Sequence, residues 1–411
     1  MGSGHDENRV PCGKRGSFTS RLLTGWNRRK RRLQGARVTL AGQSRRTAQT
    51  LDGRAVSRAL LAWYARASRD LPWRRSGDPY RVWVSEIMLQ QTQVERVKEF
   101  FPRFLKRFPT IDVLAEATEH DVLRLWEGLG YYRRARQLHA AAKTIVGKHG
   151  SRWPRSVAAL RTLPGIGRYT AGAIASIAMN LPEPIVEANS RRVIARLAGH
   201  AKRFDRPGDD EPIWEIASSM LPKKNAGRFN QALMDLGAMV CTPIRPLCTE
   251  CPVKRWCEAM QSDRVSEIPA KSRRLATRRL HEAAVVVVRG KRVLVERRKA
   301  GEWWAGLWDF PRLPLAVNRK NRPQSAETIC YEVSRLIDRS AALEGINLDR
   351  HEHLGTIAHA VTHHRITLEI VRCRGARSGD RRPEQKWVLL SDLASLALSS
   401  PGRKIASLIG S

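Results

Sequence analysis

Four of the seven cysteines lie within 17 residues, with six, two and five residues between them. They are Cys241, Cys248, Cys251 and Cys257. Four thiolates in so short a loop can surround one small metal centre, which forces the loop to fold back on itself. The spacing leaves a structural zinc ion and an iron–sulfur cluster both open. Disulfides are disfavoured, because the first residues contain no apolar secretory segment.

The residues up to and including this loop have the spacing of helices. Apolar side chains recur at helical intervals in Arg58 to Ala67, Val82 to Phe104 and Val122 to Val146, and strand-like runs are scarce. We therefore expect an all-α domain over residues 54–262, with the cysteine loop (241–257) near its end. Prolines, Pro102 among them, are expected to separate the helices.

Beyond a basic linker at residues 263–279, the periodicity changes to that of strands. Ala283 to Val288 and Val293 to Val295 flank a short turn, which predicts a β-hairpin, and Thr367 to Val371 predicts a later strand. Residues 280–408 are expected to form an α+β domain. The chain of 411 residues is long enough for both domains.

The charge of the chain favours a polyanionic partner. The net charge is +35, and residues 1–52, with 12 basic and three acidic side chains, account for only +9 of it. Nucleic acid is favoured over a membrane, because no basic amphipathic helix stands out and no apolar run is long enough to span a bilayer.

Residues 1–53 are expected to be a disordered basic extension, since they lack sustained apolar periodicity and contain the run Arg28 to Arg32. Their composition also leaves a transit peptide or a nuclear signal open. We expect a cytoplasmic, nucleoid-associated protein if the source is bacterial, and a nuclear or mitochondrial protein if it is eukaryotic.

A glycine-containing turn lies upstream of the cysteines, in the segment Leu163 to Ala173. Gly165 and Gly167 permit a tight turn in which backbone N–H groups face outward at a helix start, which suits a phosphate oxygen. A short turn of this kind between helices often means only a turn.

A single acid stands in an apolar helix pattern in the segment Trp83 to Val94. Glu86 is flanked by Val84, Ile87 and Met88, so its carboxyl should be desolvated and hold a proton near neutral pH. Without other information, such a Glu is more often a paired structural residue.

The cysteine spacing, the glycine turn and the Glu86 segment together resemble the MutY-type adenine DNA glycosylases of the helix-hairpin-helix, iron–sulfur glycosylase superfamily. The resemblance implies an all-α helix-hairpin-helix domain with a [4Fe-4S] cluster on the four cysteines, and phosphate anchoring at Gly165 and Gly167. It implies a repair enzyme, expected to be a monomer, that hydrolyses the N-glycosidic bond of adenine mispaired with 8-oxoguanine or guanine in double-stranded DNA. Glu86 would be the general acid that protonates adenine at N7.

Position 169 bears on whether the enzyme also cuts the strand. In bifunctional relatives such as endonuclease III, a lysine at this place forms a Schiff base with the sugar, which Tyr169 cannot do. The resemblance therefore implies a monofunctional glycosylase. Tyr169 would hydrogen-bond the sugar or the second carboxylate, and simple packing in the hairpin is the alternative.

The second catalytic carboxylate departs from the family pattern. The family places Asp-Gly-Asn where this chain has Glu187, Ala188 and Asn189. The extra methylene moves the carboxylate by roughly 1.5 Å, and a misplacement of about 1 Å can cost about 100-fold in rate. We expect the backbone to compensate, so that Glu187 still stabilises the oxocarbenium-like sugar beside Asn189. A shifted activity or substrate range is the alternative.

The resemblance also implies residues that recognise the mispair. Gln91 and Tyr131 would wedge into the base stack, and Thr92 would contact the oxidised base. Trp73, Arg74 and Gln231 would line the adenine pocket. Taken singly, Tyr131 and Trp73 are more often core aromatics and Gln231 a solvated helix residue.

The carboxy-terminal region looks like the NUDIX-like domain that these glycosylases append, beginning near Gly306 to Pro311. The catalytic NUDIX box is absent, because the corresponding region reads Tyr331 to Arg335. The loop that inspects 8-oxoguanine usually reads Phe-Ser-His, and here it is Val361, Thr362 and His363. Because valine cannot stack like phenylalanine, lesion recognition is expected to be weaker or rearranged.

Two other functions stay open at this point. The chain could be a glycosylase for another mispaired base on the same fold. It could also be a catalytically weak protein that binds lesions.

Overall fold

The computed structural model describes most of the chain beyond residue 50. The described residues are 51–273, 276–316, 325–340, 343, 346, 348–375 and 383–410. The extension expected over residues 1–53 lies outside them except for its last three residues, and Gly53 begins the first helix. The chain divides into two units, Met1–Asp52 and Gly53–Ser411. Within the described ranges, none of the helices combines the length and apolarity that a membrane crossing requires.

The amino-terminal part of the second unit is helical. A 3-10 turn at Pro72–Arg74 and a π-helical turn at Ile174–Ala178 interrupt the α-helices. The α-helices are α1 (Gly53–Ala67), α2 (Pro79–Leu89), α3 (Val94–Arg107), α4 (Ile111–Glu116), α5 (Glu119–Leu125), α6 (Arg133–His149), α7 (Val157–Leu160), α8 (Arg168–Ala173), α9 (Ala188–Leu197), α10 (Glu211–Met220), α11 (Ala226–Met239) and α12 (Glu258–Gln261).

Two of the helices predicted from the sequence are interrupted. The stretch from Val82 to Phe104 breaks between α2 and α3, where Gln91 adopts a left-handed backbone with φ 57°. The stretch from Val122 to Val146 breaks between α5 and α6, where Tyr131 has φ 50°. A left-handed residue cannot continue an α-helix, which is why periodicity alone gave the wrong boundaries. Pro102, expected to separate helices, lies inside α3.

The helices form two packed groups. In the first group, α2 to α8 surround a core that contains Trp83, Phe104 and Trp126, all fully buried. In the second, α9 packs on α11 and α10, and α1 also packs on α10 and α11. α2 of the first group and α11 of the second both contact the π-helical turn. Residues from the two groups therefore meet at the boundary formed by this turn.

The carboxy-terminal part is built on a sheet, as predicted. The predicted hairpin and the later strand are both confirmed, as β1 with β2 and as part of β6. The elements are β1 (Arg278–Arg289), β2 (Arg292–Arg297), β3 (Trp308–Asp309), β4 (Arg312–Pro314), α13 (Ala326–Ile337), β5 (Leu348–Val361), β6 (His364–Gly375), β7 (Gln385–Leu389), a 3-10 turn (Leu390–Ser395) and α14 (Ser400–Ile409).

The described strands form one mixed sheet in the order β3-β2-β1-β6-β5, with β4 on β1 and β7 on β2. β1 and β6 are parallel, and the other pairs are antiparallel. Alternate side chains of β1 enter two cores: Val285 and Val287 pack with Ile329 of α13, whereas Val286 packs with Ile405 of α14. Helices therefore cover both faces of the sheet, which accounts for the continuous apolar run in β1.

The sheet domain packs directly against the first helical group. Leu307 and Ala397 belong to the same buried core as the helices. The Arg403 guanidinium of α14 donates hydrogen bonds of 2.6 and 2.9 Å to the two carboxylate oxygens of Glu127, and Arg297 pairs with Glu119 at 3.1 Å. Apolar and charged contacts thus fix the two domains to each other.

Candidate active site

Glu86 lies on α2 at the boundary between the two helical groups, and only 4% of its surface is exposed. Burial, the largest cause, raises the pKa of Glu86 to about 7. The hydrogen bond from Tyr169 and the charge of Arg74 lower it, and the charge of Glu187 raises it. The carboxyl therefore holds a proton near neutral pH, in agreement with its apolar flanks.

Tyr169 hydrogen-bonds Glu86 and not the second carboxylate. It lies in the first turn of α8, directly after the glycine turn, and its hydroxyl donates to Oε2 of Glu86. Burial and the neighbouring charge of Glu86 raise the pKa of Tyr169 well above its usual value, so the phenol stays a donor. The expected hydrogen bond from Tyr169 to Glu187 is replaced by one to Glu86, because α8 packs against α2 and directs the phenol to that helix. The expected contact with the sugar stays a prediction.

Glu187 caps the amino terminus of α9. Its carboxylate accepts hydrogen bonds from the N–H groups of Asn189 at 2.8 Å and Ser190 at 2.7 Å, while its own N–H donates to the Ser190 hydroxyl at 2.9 Å. This capping box and the positive end of the helix stabilise the negative charge. The longer side chain folds back over the helix start, and Ala188 needs no left-handed backbone.

Asn189 stands beside this cap. Its Oδ1 accepts a hydrogen bond of 3.0 Å from Arg192, and its side chain packs so close to Gly237 of α11 that a Cβ there would lie 2.6 Å away. α9 and α11 therefore hold Asn189 in one orientation. A residue larger than glycine at 237 would displace it.

Arg74, whose charge lowers the pKa of Glu86, forms a buried ion pair with the second helical group. Arg74 donates hydrogen bonds of 2.6 and 2.9 Å to Asp235 of α11, whose side chain is completely buried. Arg69 binds the same carboxylate at 2.6 Å. Next to this pair, the Tyr64 hydroxyl donates to Gln231 at 2.8 Å. Gln231 and Arg74 are thus held by Tyr64 and Asp235, which were not predicted as site residues from the sequence.

Trp73 occupies a different environment from its neighbour Arg74. Only 5% of its surface is exposed, and its ring meets Phe101 edge to face at 5.7 Å. The structure places Trp73 in the core of the first helical group. Its contact with adenine stays a prediction.

The glycine turn has one left-handed residue. Gly165 has φ +73°, and a Cβ there would lie 2.6 Å from the side chain of Gln137. Gly167 is extended, with φ −85° and ψ −176°, and precedes α8 with open space around the place of a Cβ. Gly165 is thus required by the turn itself, whereas Gly167 leaves room for a group that approaches from outside.

The two predicted wedge residues, Gln91 and Tyr131, lie on neighbouring loops, and both are exposed. Tyr131 is 49% exposed, so the alternative of a core aromatic is wrong. Both have left-handed backbones, at φ 57° and 50°, which non-glycine residues seldom adopt. Such outliers persist only where surrounding contacts enforce them.

Arg134 supplies those contacts from the buried side. Its guanidinium donates to the carbonyls of Met88 and Gly130 at 2.9 and 3.0 Å, and to the Thr92 hydroxyl at 3.1 Å. It also donates to the carbonyls of Ile87, Gln90 and Leu129. One buried cation therefore joins the loop of Gln91 to the loop of Tyr131, and nothing in the sequence distinguished it from the adjacent Arg133.

The four cysteines of the loop line one small cavity. Arg196 of α9 reaches into the same place, and its Nη1 donates to Sγ of Cys241 at 3.3 Å. Arg192 donates to the carbonyl of Cys241 at 2.8 Å. Among the described residues, no group of three or more His, Cys, Asp or Glu side chains is arranged to hold a single metal ion.

A cleft of about 1170 Å³ lies between the helical and sheet domains. Tyr131 contributes to its helical wall, and the turn between β5 and β6, including Val361 and Thr362, contributes to the opposite wall. Thr362 is exposed with φ 53°, and its hydroxyl hydrogen-bonds the Val361 carbonyl. The rings of His363 and His364 lie with their centroids 4.0 Å apart and their planes tilted by 43°. Val361 and Thr362 thus line the cleft, whereas His363 and Glu86 are not among its lining residues.

Known proteins resemble both domains of the chain and most of its length. Residues 84–211 match the HhH-GPD superfamily of base excision DNA repair proteins, and residues 283–408 match the NUDIX domain. The adenine DNA glycosylase of Mus musculus is 32% identical over 84% of this chain and 76% of its own length. That of Homo sapiens is 31% identical over 84% and 72%, and that of Buchnera aphidicola subsp. Acyrthosiphon pisum is 36% identical over 62% and 73%. A buried acid that holds a proton, a capped second carboxylate and this likeness over both domains together show that the chain belongs to the adenine DNA glycosylase family.

Proposed function

We propose that this protein hydrolyses the N-glycosidic bond of adenine mispaired with 8-oxoguanine or guanine in double-stranded DNA, and leaves the strand uncut. The observation that carries the proposal is the Glu86 carboxyl, buried at a pKa of about 7 beside the capped carboxylate of Glu187. Two carboxyl groups with such different surroundings suit an acid and a charge-stabilising partner.

In the proposed reaction Glu86 donates its proton to N7 of adenine, which turns a poor leaving group into a neutral one. The sugar then develops positive charge as the bond to adenine breaks. The charge of Glu187, fixed by two backbone N–H groups, stabilises that cation until water attacks it. Tyr169 keeps the Glu86 carboxyl in place. Because a phenol forms no Schiff base, no lyase step follows.

The proposed DNA contacts agree with the charge of the chain. In this proposal adenine leaves the helix to reach buried Glu86, and Gln91 and Tyr131, which are both exposed, would fill the gap. The glycine turn at Gly165 and Gly167 would hold a phosphate at the start of α8. A basic protein gains affinity from such contacts without reading sequence.

We also propose that the four cysteines hold a [4Fe-4S] cluster and not zinc. The four cysteines line a common cavity, and their spacing of six, two and five residues is the one that resembles the iron–sulfur loop of these glycosylases. Arg196 provides a hydrogen bond and a positive charge at Cys241, which stabilises the thiolates of a cluster. When bound, the cluster would cross-link the loop and can also exchange electrons.

The test is single-turnover release of adenine from duplexes that contain 8-oxoguanine:adenine or guanine:adenine. Wild-type protein should give strand breaks only after alkali treatment. Glu86→Gln should lower the rate by at least about 100-fold, whereas Glu99→Gln, an exposed glutamate on α3, should have no effect. Strand breaks without alkali would contradict the monofunctional assignment.

The same assay separates the other candidate functions. Release of a different base from a panel of mismatched duplexes would show that Glu187 and Val361 accompany a change of substrate. Tight binding to the mispair with no abasic product, for protein with its full iron content, would identify a lesion-binding protein. Equal rates for wild type and Glu187→Gln would remove Glu187 from the mechanism.

A further inference from the structure

The loop between β2 and β3 presents two adjacent tryptophans, Trp303 and Trp304, to the interdomain cleft. Trp304 has a left-handed backbone at φ 57°, which a bulky residue adopts only under constraint. This conformation turns the chain so that the two rings meet nearly at right angles, with centroids 6.2 Å apart. The backbone conformation of the loop therefore determines where its two aromatic rings lie.

The two rings have different surroundings. Trp304 packs against the core of the first helical group, contacts the tilted ring of His359 at 5.6 Å and lies under the guanidinium of Arg312. Those contacts fix it in the structure. Trp303 lies beside the turn between β5 and β6, where its ring is 5.0 Å from that of His364, the residue that pairs with Val361 across the turn.

We propose that Trp303 is the surface on which the base opposite the adenine stacks, and that it supplies the aromatic ring that Val361 lacks. This inference rests on the proposed function. Trp303, Thr362 and Tyr131 line the same cleft from its two walls, and Glu86 is not among the residues that line it. The cleft thus receives the strand opposite the excised adenine.

The charges around the cleft suit a nucleic acid strand. The lining includes Arg133, Arg136 and Lys404, while the acidic side chains of the lining are paired: Glu119 with Arg297 at 3.1 Å and Glu302 with Arg298 at 3.2 Å. An aromatic ring within a basic cleft binds a base by stacking and its phosphates by charge. Stacking accepts any base, so the choice between 8-oxoguanine and guanine is left to polar groups of the cleft such as the Thr362 hydroxyl.

The experiment measures binding of duplexes in which an uncleavable fluorinated adenine nucleotide faces 8-oxoguanine, guanine or an abasic site. Trp303→Leu should weaken binding about tenfold where a base is opposite the adenine and leave the abasic duplex unchanged. Trp303→Phe should retain most of the affinity. Trp387→Leu, a tryptophan on β7 beside Arg289, is the matched control and should affect no duplex.

A compensating variant gives an independent readout. In Trp303→Leu/Val361→Phe the restored ring should recover most of the lost affinity, whereas Val361→Phe alone should add little, because Trp303 already fills the place. Equal weakening on all three duplexes, no weakening, or no rescue would overturn the assignment of Trp303. If the wild-type protein releases no adenine from any mispair, it is the proposed function that fails.

Discussion

The hydroxyl of Tyr169 donates a hydrogen bond to Oε2 of Glu86, the carboxyl whose pKa burial raises to about 7. The phenol is thus a hydrogen-bond donor to the buried acid. Because this bond stabilises the ionised form of Glu86, it holds the pKa below the value that burial alone would give.

The first prediction concerns the pH dependence of adenine release. The reaction needs protonated Glu86, so the single-turnover rate should fall about tenfold per pH unit once the pH exceeds about 7. Tyr169→Phe removes a bond that lowers the pKa of Glu86, and it should move this fall to higher pH. Rates measured from pH 5 to 9 test both statements. If Tyr169→Phe lowers the rate by the same factor at every pH, the phenol does not affect the pKa of Glu86.

The second prediction concerns stability. A carboxyl whose pKa is raised from 4.5 to about 7 by folding contributes fully below pH 4.5 and loses that contribution as the pH rises through 7. Glu86→Gln should therefore be more stable than wild type by about 3 kcal/mol well above pH 7, and similar to it below pH 4.5. Urea unfolding at both pH values measures the difference. A constant difference at all pH values would mean that Glu86 does not ionise within this range.

The third prediction concerns Arg134. Replacing it with alanine leaves buried carbonyls of both wedge loops without a donor, which should cost about 3 kcal/mol of unfolding free energy. It should also slow adenine release, because Gln91 and Tyr131 lose their common support. Arg133→Ala is the matched control for stability and should change it by less than about 0.5 kcal/mol. Chemical denaturation and single-turnover kinetics measure the two effects.

The fourth prediction concerns the domain junction. Glu127→Gln removes the charge that holds Arg403 and leaves the hydrogen bonds of Arg403 to Leu393 and Leu396 intact. The pair is only partly exposed, and its loss should cost about 1 kcal/mol. Preference for 8-oxoguanine over guanine should fall while the rate on guanine:adenine stays near wild type. A loss of both rates in parallel would show that Glu127 supports the helical domain itself.

The fifth prediction concerns the metal centre. Cys251→Ser should lower the iron content and the visible absorption of the purified protein, whereas Cys330→Ser, a free cysteine on α13, should leave both unchanged. Zinc in place of iron in wild-type protein would contradict the cluster assignment.

The sequence predicted the fold class, the proton-holding acid and the strands of the second domain, because each has a local signature. Glu86 stands alone in an apolar helix, and β1 alternates between two apolar faces. Asp235 of α11 has the same local signature as Glu86, a single acid within an apolar helical run. The pattern that predicts a buried Glu86 therefore also predicts a buried Asp235.

Other parts of the site depend on contacts that no local pattern encodes. Arg134 and Arg133 are indistinguishable in sequence, and only the fold buries one and exposes the other. The breaks at Gln91 and Tyr131 fall in stretches with helical periodicity, where tertiary hydrogen bonds override helical propensity. The partner of Tyr169 depends on how α8 packs against α2.

Glu187 caps the amino terminus of α9 and Arg196 lies in its last turn, about 14 Å away along the helix. Arg196 donates hydrogen bonds to the sulfur of Cys241 and to the carbonyls of Thr242 and Ile268. The carboxy-terminal end of α9 is therefore fixed to the cysteine loop. α9 thus connects the Glu187 carboxylate to the cysteine loop through one continuous helix. A change in the conformation of the cysteine loop would therefore reach Glu187 through α9, although the two lie at opposite ends of the helix.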